Sequence, residues 1–131
     1  MVGRVPLQGD IIKINLEPEG NLGLRTEGSR PRREVPKKGH EQAGYRPYIC
    51  LSNKIVSEYA NIAIFAPISN TERKYPLYIP LHKTKTTGNV LLDQLVTIDY
   101  NARNFRFVET IPPALLRQIL SVTVMVFQPN V

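Results

Sequence analysis

Four polar side chains in this sequence are of types that can bind anions or transfer protons. Arg46 directly precedes Pro47 at the start of an apolar segment, and its planar guanidinium can bind two phosphate oxygens at once. Ser69 carries a hydroxyl donor, and His40 belongs to the residue type that titrates near neutrality. Asp93 is a carboxylate inside an apolar run, where burial tunes carboxylates towards proton transfer.

Each of these residues also has an ordinary structural explanation. Arg46 can be a surface arginine at the end of a strand, Ser69 can form a turn, and Asp93 can accept backbone hydrogen bonds. A histidine beside a glycine, as at Gly39–His40, is usually inert. Residue types alone leave both interpretations open.

Size and composition predict a single globular domain covering residues 1–131. The chain has 131 residues, of which 42% are hydrophobic, enough to form a core without disulfides or metals. The one cysteine, Cys50, lies in the apolar run PYICLSN and is expected to be a buried, reduced thiol. We find no apolar stretch of the length that a membrane span needs and no signal-peptide pattern, so we expect a cytoplasmic protein.

Positive charge is concentrated in one segment. The chain carries a net charge of +6, and its sequence pI is about 9.7. Residues 17–45 are rich in glycine and proline without apolar periodicity, which predicts a long loop. Between residues 25 and 40 there are six basic side chains and two acidic ones. The loop is therefore either a solvated excursion or a basic surface for phosphates or an acidic partner.

The rest of the pattern predicts a small, mainly β fold. Strands are expected at 10–16, 47–53, 61–67, 76–81, 90–98 and 105–108, with a helical turn within 54–60. The first strand is expected to be half-buried through Ile12 and Ile14, and the prolines of 76–81 favour a sheet edge. Pro112 and Pro113 open a predicted helix, whereas the β-branched residues 121–127 are ambiguous. Together these elements favour a curled β-barrel with helices outside.

Three collinear segments carry a family resemblance. They are Gly9–Asp10 with GHEQAGYRP (39–47), then APISNTERKYP (66–76), then TTGNVLLDQLVTIDYNAR (86–103). In this order and spacing they resemble the MazF/PemK/Kid toxins of type II toxin–antitoxin systems, most closely the PemK/Kid branch. The resemblance implies an SH3-like β-barrel with a C-terminal helix, forming a homodimer. It also implies cleavage of single-stranded RNA at short motifs, without cofactor or metal, and a MazE/PemI-like antitoxin with an acidic tail.

The resemblance also implies roles for individual residues. Arg46 matches the active-site arginine of the family, and Ser69 stands where threonine is common. Asp93 matches the general base proposed for the Kid branch. His40 and Glu41 match the histidine and glutamate of the GHEQ motif.

Further residues are candidates for contacts with RNA. Thr87 matches a substrate-contacting position of the Kid branch, and Asn70 can read a base edge or simply close a turn. Tyr75 and Tyr45 can stack on exposed bases or pack at a rim. From the basic loop, Arg32 and Arg33 are candidates for phosphate contacts.

Two departures from the family pattern leave the proton donor unassigned. Leu91 stands where the Kid branch has an arginine, two residues before Asp93, and Tyr45 stands where the MazF branch often has a histidine. Two alternatives stay open. Leu91, Tyr45 and Ser69 suggest a degenerate homologue that only binds RNA or protein, and the shared barrel suggests a CcdB-like gyrase poison. The match at Arg46 argues against the gyrase poison.

Overall fold

A computed structural model describes residues 5–15 and 44–130 of the protein. The strands are β1 (Asp10–Asn15), β2 (Tyr45–Cys50), β3 (Ile62–Ser69), β4 (Tyr78–Pro80), β5 (Asn89–Leu91), β6 (Val96–Asp99) and β7 (Phe105–Thr110). The helices are α1 (Lys54–Ser57), a 3-10 turn at Tyr100–Ala102, and α2 (Pro113–Val126). Most of the predicted loop 17–45 lies outside the described residues.

The seven strands form one antiparallel sheet in the order β4-β5-β3-β2-β1-β7, with β6 pairing with the first half of β3. This mainly β arrangement with a C-terminal helix confirms the predicted SH3-like fold class. Strand β4 lies at one end of the order, as its prolines led us to expect.

Both faces of the sheet are buried near its centre. One core lies under α2 and includes Ile11 and Ile49; the other, on the opposite face, includes Ile12, Ile14 and Phe65. The prediction of a half-buried β1 is therefore wrong, because Ile11 is fully buried against the helix-side core. The predicted burial of Cys50 is confirmed, and this burial raises the pKa of its thiol to about 11.

The predicted single strand at 90–98 is wrong in a way that affects the site. Val90 pairs with Ile68, whereas Val96 pairs with Phe65, so the chain leaves β3 and returns to it further along. A turn closed by the Gln94 N–H donating to the Leu91 carbonyl at 3.2 Å separates β5 from β6. The sequence gives no sign of this turn, because the residues before and after it are apolar and pack into the two cores.

Helix α2 begins at Pro113 and continues to Val126, so most of the ambiguous segment 121–127 is helical. Leu115 and Ile119 are buried in the helix-side core, and this packing outweighs the modest helix propensity of the β-branched residues. None of the helices in residues 5–15 and 44–130 is long and apolar enough to cross a membrane.

Two carboxylates attach other parts of the chain to β7. The buried Asp10 accepts hydrogen bonds from the Leu7 N–H (2.9 Å) and the Thr110 hydroxyl (2.8 Å). Glu109 accepts from the Lys85 N–H (3.0 Å), the Thr86 N–H (2.8 Å) and the Thr86 hydroxyl (2.7 Å). The β4–β5 loop is thereby fastened to β7, the strand at the other end of the sheet order.

Replacing Glu109 by glutamine should weaken this attachment. Partial burial raises the pKa of Glu109, but the hydrogen bonds from Lys85 and Thr86 outweigh it and hold the pKa below its ordinary value. An amide keeps only one acceptor oxygen, so we expect a loss of about 1–2 kcal/mol in the free energy of unfolding. Thermal unfolding at pH 7 should show a decrease of roughly 3–6 °C, whereas the control Glu58→Gln at an exposed position should show none.

The same variant should change the pH dependence of stability. A depressed carboxyl pKa stabilises the fold at pH values above the unfolded value of about 4.3, and that contribution disappears as the pH falls through the folded pKa. The difference between Glu109→Gln and the parent protein should therefore shrink in acid. A difference that stays constant down to pH 3, or is missing at pH 7, would contradict this role.

Candidate functional site

Arg46 and Ser69 lie on the same face of two neighbouring strands. Strands β2 and β3 pair antiparallel through Tyr48 with Pro67 and Cys50 with Phe65. Continued by two residues along each strand, this register places Arg46 opposite Ser69. Directly opposite residues in an antiparallel pair have Cβ atoms about 4.5–5.5 Å apart. This extension of the register therefore places an exposed guanidinium and a partly exposed hydroxyl near each other, just beyond the last recorded pair of β2 and β3.

Neither of these two side chains is committed to another group in the described part of the chain. The Ser69 hydroxyl forms no hydrogen bond with residues 5–15 or 44–130, and Arg46 forms no ion pair there. Both donors can therefore be offered to a ligand. An anion with several oxygens, such as a phosphodiester, can accept from both at once.

The segment before β5 lies directly against Ser69. Ser69 pairs with Asn89, and the Asn89 side-chain amide donates to the Thr71 carbonyl at 3.0 Å. The Thr87 hydroxyl approaches the Asn70 side-chain oxygen at 3.5 Å. The structure thus brings together three of the residues singled out in the sequence: Ser69, Asn70 and Thr87.

An aromatic and basic groove continues from this point. It has a volume of about 680 Å³ and is lined by Thr71, Glu72, Arg73, Lys74, Tyr75, Tyr78, Pro80 and Asn89. The Arg73 guanidinium lies 4.8 Å from the Tyr75 ring centroid and 5.7 Å from that of Tyr78, and the two rings meet edge to face at 4.8 Å. Of these residues, Tyr75 was expected from the sequence, whereas Arg73 and Tyr78 were not. The closeness of two cations and two tyrosines in ERKYPLY (72–78) was the signal available.

The position of Asp93 differs from the expectation. It lies in the β5–β6 turn and is exposed, so the premise of a carboxylate buried within a strand is wrong. Strand β5 flanks β3 on the edge opposite to β2, and Asp93 comes after β5. No hydrogen bond or ion pair connects Asp93 to Arg46 or Ser69 within the described residues.

Side chains alternate between the two faces of a strand, so Tyr45 and Arg46 lie on opposite faces of β2. The Tyr45 ring lies under the guanidinium of Arg106, 4.6 Å from the centroid, on the other face of the sheet. His40, Glu41, Arg32 and Arg33 fall outside the described residues. Within the described ranges, no three His, Cys, Asp or Glu side chains come together as a metal ligand set.

Comparison with known families decides what kind of protein carries this surface. Residues 34–126 match the model of the PemK-like, MazF-like toxins of type II toxin–antitoxin systems. The chain belongs to this family. The match covers Arg46, Ser69 and the groove, so the candidate site lies within the PemK/MazF-like domain.

Individual relatives agree with this assignment. An endoribonuclease toxin MazF from Escherichia coli K12 is 28% identical over 120 residues, covering 91% of this chain and 92% of the relative. An endoribonuclease PemK from Escherichia coli is 29% identical over 90 residues, or 65% of this chain and 68% of the relative. The crystal structure of MazF from Deinococcus radiodurans superposes with a TM-score of 0.67 at 21% identity, covering 95% and 97% of the two chains, which shows the shared fold.

Gly88 is the residue that allows the β5 segment to approach Ser69. Its φ of +123° lies in the region that favours glycine, and a Cβ there would lie 2.8 Å from the Ser69 carbonyl oxygen and 3.1 Å from the Asn70 side-chain oxygen. Gly88→Ala should therefore destabilise the protein by about 1–3 kcal/mol in urea unfolding.

A matched control is available for this substitution. Ala60 is exposed, so Ala60→Gly in the bend between α1 and β3 tests the effect of exchanging the same two residues away from the site. It should lower the free energy of unfolding by no more than about 1 kcal/mol. Stability of Gly88→Ala equal to that of the parent protein would show that the close approach is not needed.

Proposed function

We propose that the protein is a toxin endoribonuclease that cuts single-stranded mRNA at short sequence motifs. The observation that carries the proposal is that the β2–β3 register, extended two residues beyond Tyr48 and Pro67, brings Arg46 and Ser69 to the same rim of the sheet, inside a domain of the PemK/MazF-like family. The relatives named as endoribonucleases support the same activity. The net charge of +6 favours a polyanionic substrate.

The reaction that suits these groups uses the ribose 2′-OH as the nucleophile. A base removes the 2′ proton, the 2′ oxygen bonds to phosphorus, and the bond from phosphorus to the 5′ oxygen breaks. The leaving 5′ oxygen takes up a proton. The products are a 2′,3′-cyclic phosphate and a 5′-OH. All the bonds made and broken are those of the RNA, so the protein supplies position, charge and proton transfer.

Arg46 and Ser69 stabilise the charge that develops on the phosphate. The guanidinium binds two non-bridging oxygens, and the Ser69 hydroxyl donates a hydrogen bond beside it. A guanidinium is a poor proton donor because its pKa lies above about 12. We therefore assign charge stabilisation to Arg46 and proton transfer to other groups.

The proton transfers fall to His40 and Glu41 in this proposal. Asp93 remains a weaker candidate, because the structure leaves it exposed in a turn beyond β5. Histidine and glutamate both accept a proton near neutral pH when their surroundings are suitable. In this proposal one of the two removes the 2′ proton, and the other is the proton donor that Leu91 and Tyr45 leave unassigned.

Single-stranded RNA would follow the groove next to Ser69. Tyr75, backed by Arg73, offers an aromatic face for a base, while Asn70 and Thr87 offer polar groups to base edges or sugar. Arg32 and Arg33 would add phosphate contacts from the basic loop. Tyr45 is left out of this surface because it lies on the other sheet face.

We also propose a homodimer that binds an acidic MazE/PemI-like antitoxin in the cytoplasm. Structural neighbours include a MazE–MazF complex from Deinococcus radiodurans, with a TM-score of 0.68 at 17% identity. The end of α2 exposes Val124, Met125 and Phe127 beside an apolar groove of about 340 Å³. An exposed apolar surface of this kind suits a second copy of the chain.

The decisive experiment incubates purified protein with a single-stranded RNA of mixed sequence in EDTA. We expect cleavage to persist in EDTA, to leave 2′,3′-cyclic phosphate and 5′-OH ends, and to fall by at least about 10²-fold in Arg46→Ala, because a donor to the developing charge is lost. Arg117→Ala, at an exposed position on α2, removes the same charge elsewhere and should cut at the parent rate.

Other outcomes would reject the proposal. Binding of RNA without cleavage would indicate a degenerate homologue, consistent with the exposed Asp93. Intact RNA together with gyrase trapped on DNA would indicate a CcdB-like poison. Equal cleavage by Arg46→Ala and the parent protein would remove Arg46 from the site.

A further inference from the structure

A pair of basic side chains lies on the helix-side face of the sheet, outside the part that packs under α2. Ile11 of β1 is buried in the helix-side core, whereas Lys13, two residues later on the same face, is exposed. Lys13 pairs directly with Arg106 of β7, which is also exposed. Like charges directly opposite each other on antiparallel strands repel, so this juxtaposition costs stability.

Tyr45 holds the Arg106 guanidinium beside Lys13. Strands β2 and β7 flank β1 on its two sides, with Tyr45 on β2 and Arg106 on β7. The guanidinium nevertheless lies over the Tyr45 ring, 4.6 Å from its centroid, so the arginine side chain crosses β1 to reach it. Its path runs beside Lys13, because all three side chains share the helix-side face. A cation–π contact of this kind fixes the guanidinium while its N–H groups stay free to donate.

Neither of these two cations has an acidic partner in the part of the chain that the structure describes. No carboxylate there forms an ion pair with Lys13 or Arg106. Glu109, the acidic residue of the same strand as Arg106, accepts hydrogen bonds from the β4–β5 loop instead. Two cations beside an aromatic ring, without a carboxylate to neutralise them, suit a phosphate of a single-stranded nucleic acid.

The strand order places this basic surface on the side of Arg46 that the candidate site leaves unused. Strand β2 lies between β3 and β1, with Ser69 and the aromatic groove on the β3 side and Lys13 and Arg106 on the β1–β7 side. Neighbouring strands are about 4.7–4.9 Å apart, so β7 lies about 10 Å from β2. Tyr45 immediately precedes Arg46 at the beginning of β2, so the two faces of the sheet meet at this edge.

A polymer bound at Arg46 leaves it in two directions. One direction follows the aromatic groove, and the other passes round the beginning of β2 towards β1 and β7. An acidic peptide carries the same sign of charge as RNA, but the continuity of the basic surface with Arg46 favours the RNA.

We propose that Lys13 and Arg106 form a second phosphate-binding site, which holds a backbone phosphate of the RNA away from the position of the cut. Tyr45 is a positioning residue, because its ring holds the Arg106 guanidinium beside Lys13. This inference rests on the proposed function and extends it to the part of the substrate on the other side of Arg46 from the groove. The site contributes affinity and takes no part in making or breaking bonds.

The test measures binding without turnover. A fully 2′-O-methylated single-stranded RNA lacks the nucleophile and cannot be cut, and its affinity is measured over a series of salt concentrations. Lys13→Ala and Arg106→Ala should each reduce the slope of log affinity against log salt by about 0.7, the value for one phosphate contact in a single strand. The controls Lys54→Ala and Arg117→Ala remove the same two residue types at exposed positions on α1 and α2 and should keep the parent slope.

Substitutions of Tyr45 test its positioning role separately from charge. Tyr45→Leu removes the ring and should weaken RNA binding by about 2–5-fold, as expected for the loss of an exposed cation–π contact. Tyr45→Phe retains the ring and should bind more tightly than Tyr45→Leu. Melting temperatures show whether any loss of binding reflects a loss of folding. Lys13→Ala should melt no lower than the parent protein, because it removes one of two repelling charges.

Several outcomes would overturn the proposal. A parent slope in either Lys13→Ala or Arg106→Ala would do so, and cleavage of unmodified RNA by the parent protein would then leave the proposed function standing alone. Variants that lose affinity for polyglutamate but bind RNA as the parent does would assign the surface to an acidic protein instead. If the parent protein binds RNA without cutting it, the proposed function fails, whereas a slope that depends on Lys13 and Arg106 would still support the phosphate site.

Discussion

The hydrogen bonds accepted by Glu109 are the interaction on which the rest of the structure depends. They join the β4–β5 loop to β7, although β4 and β7 stand at opposite ends of the strand order. The loop continues from Thr86 into Thr87, Gly88 and Asn89, which lie against Ser69, Asn70 and Thr71. One carboxylate therefore connects the two ends of the sheet and also determines where the β5 segment meets the candidate site.

The site lies where an apolar sheet face reaches solvent. Along one face of β2, Cys50 is buried, Tyr48 is half-buried and Arg46 is exposed. A cation at such a rim is accessible to an anionic ligand, while the neighbouring core lowers the local dielectric and strengthens its attraction for that anion. Ser69 is the last residue of β3 and lies at the same rim of this face. The sequence of β2 thus places an accessible positive charge next to a packed core.

Local sequence patterns were sufficient to predict most of the helices and strands, but they were not sufficient to predict the contacts between them. The apolar alternation predicted most strands, and paired prolines predicted the start of α2. The turn within 90–98 was missed because Leu91 and Leu92 are both buried, which conceals a change of direction. That error placed Asp93 inside a strand. Burial of Ile11 was missed because a single strand cannot show that α2 covers its second face.

The candidate site shows the same division between residues that sequence motifs identify and contacts that they do not. Arg46 and Ser69 were found through collinear motifs, and their opposition follows from the β2–β3 register. Arg73 and Tyr78 were missed although they lie close together in the sequence with Tyr75, because only the fold shows that the guanidinium packs against both rings. Tyr45 was selected by its type, whereas the alternation of β2 points it away from Arg46.

The central claim is that Arg46 and Ser69 act on the same phosphodiester, and a double-mutant cycle tests it most directly. Single-turnover cleavage of one RNA is measured at saturation for the parent protein, Arg46→Ala, Ser69→Ala and the double variant. Ser69→Ala alone should slow cutting by about 10²-fold. If both side chains stabilise one transition state, the double variant should be much less impaired than the product of the two single effects. Effects that multiply in full would show that the two residues act independently and would contradict the account.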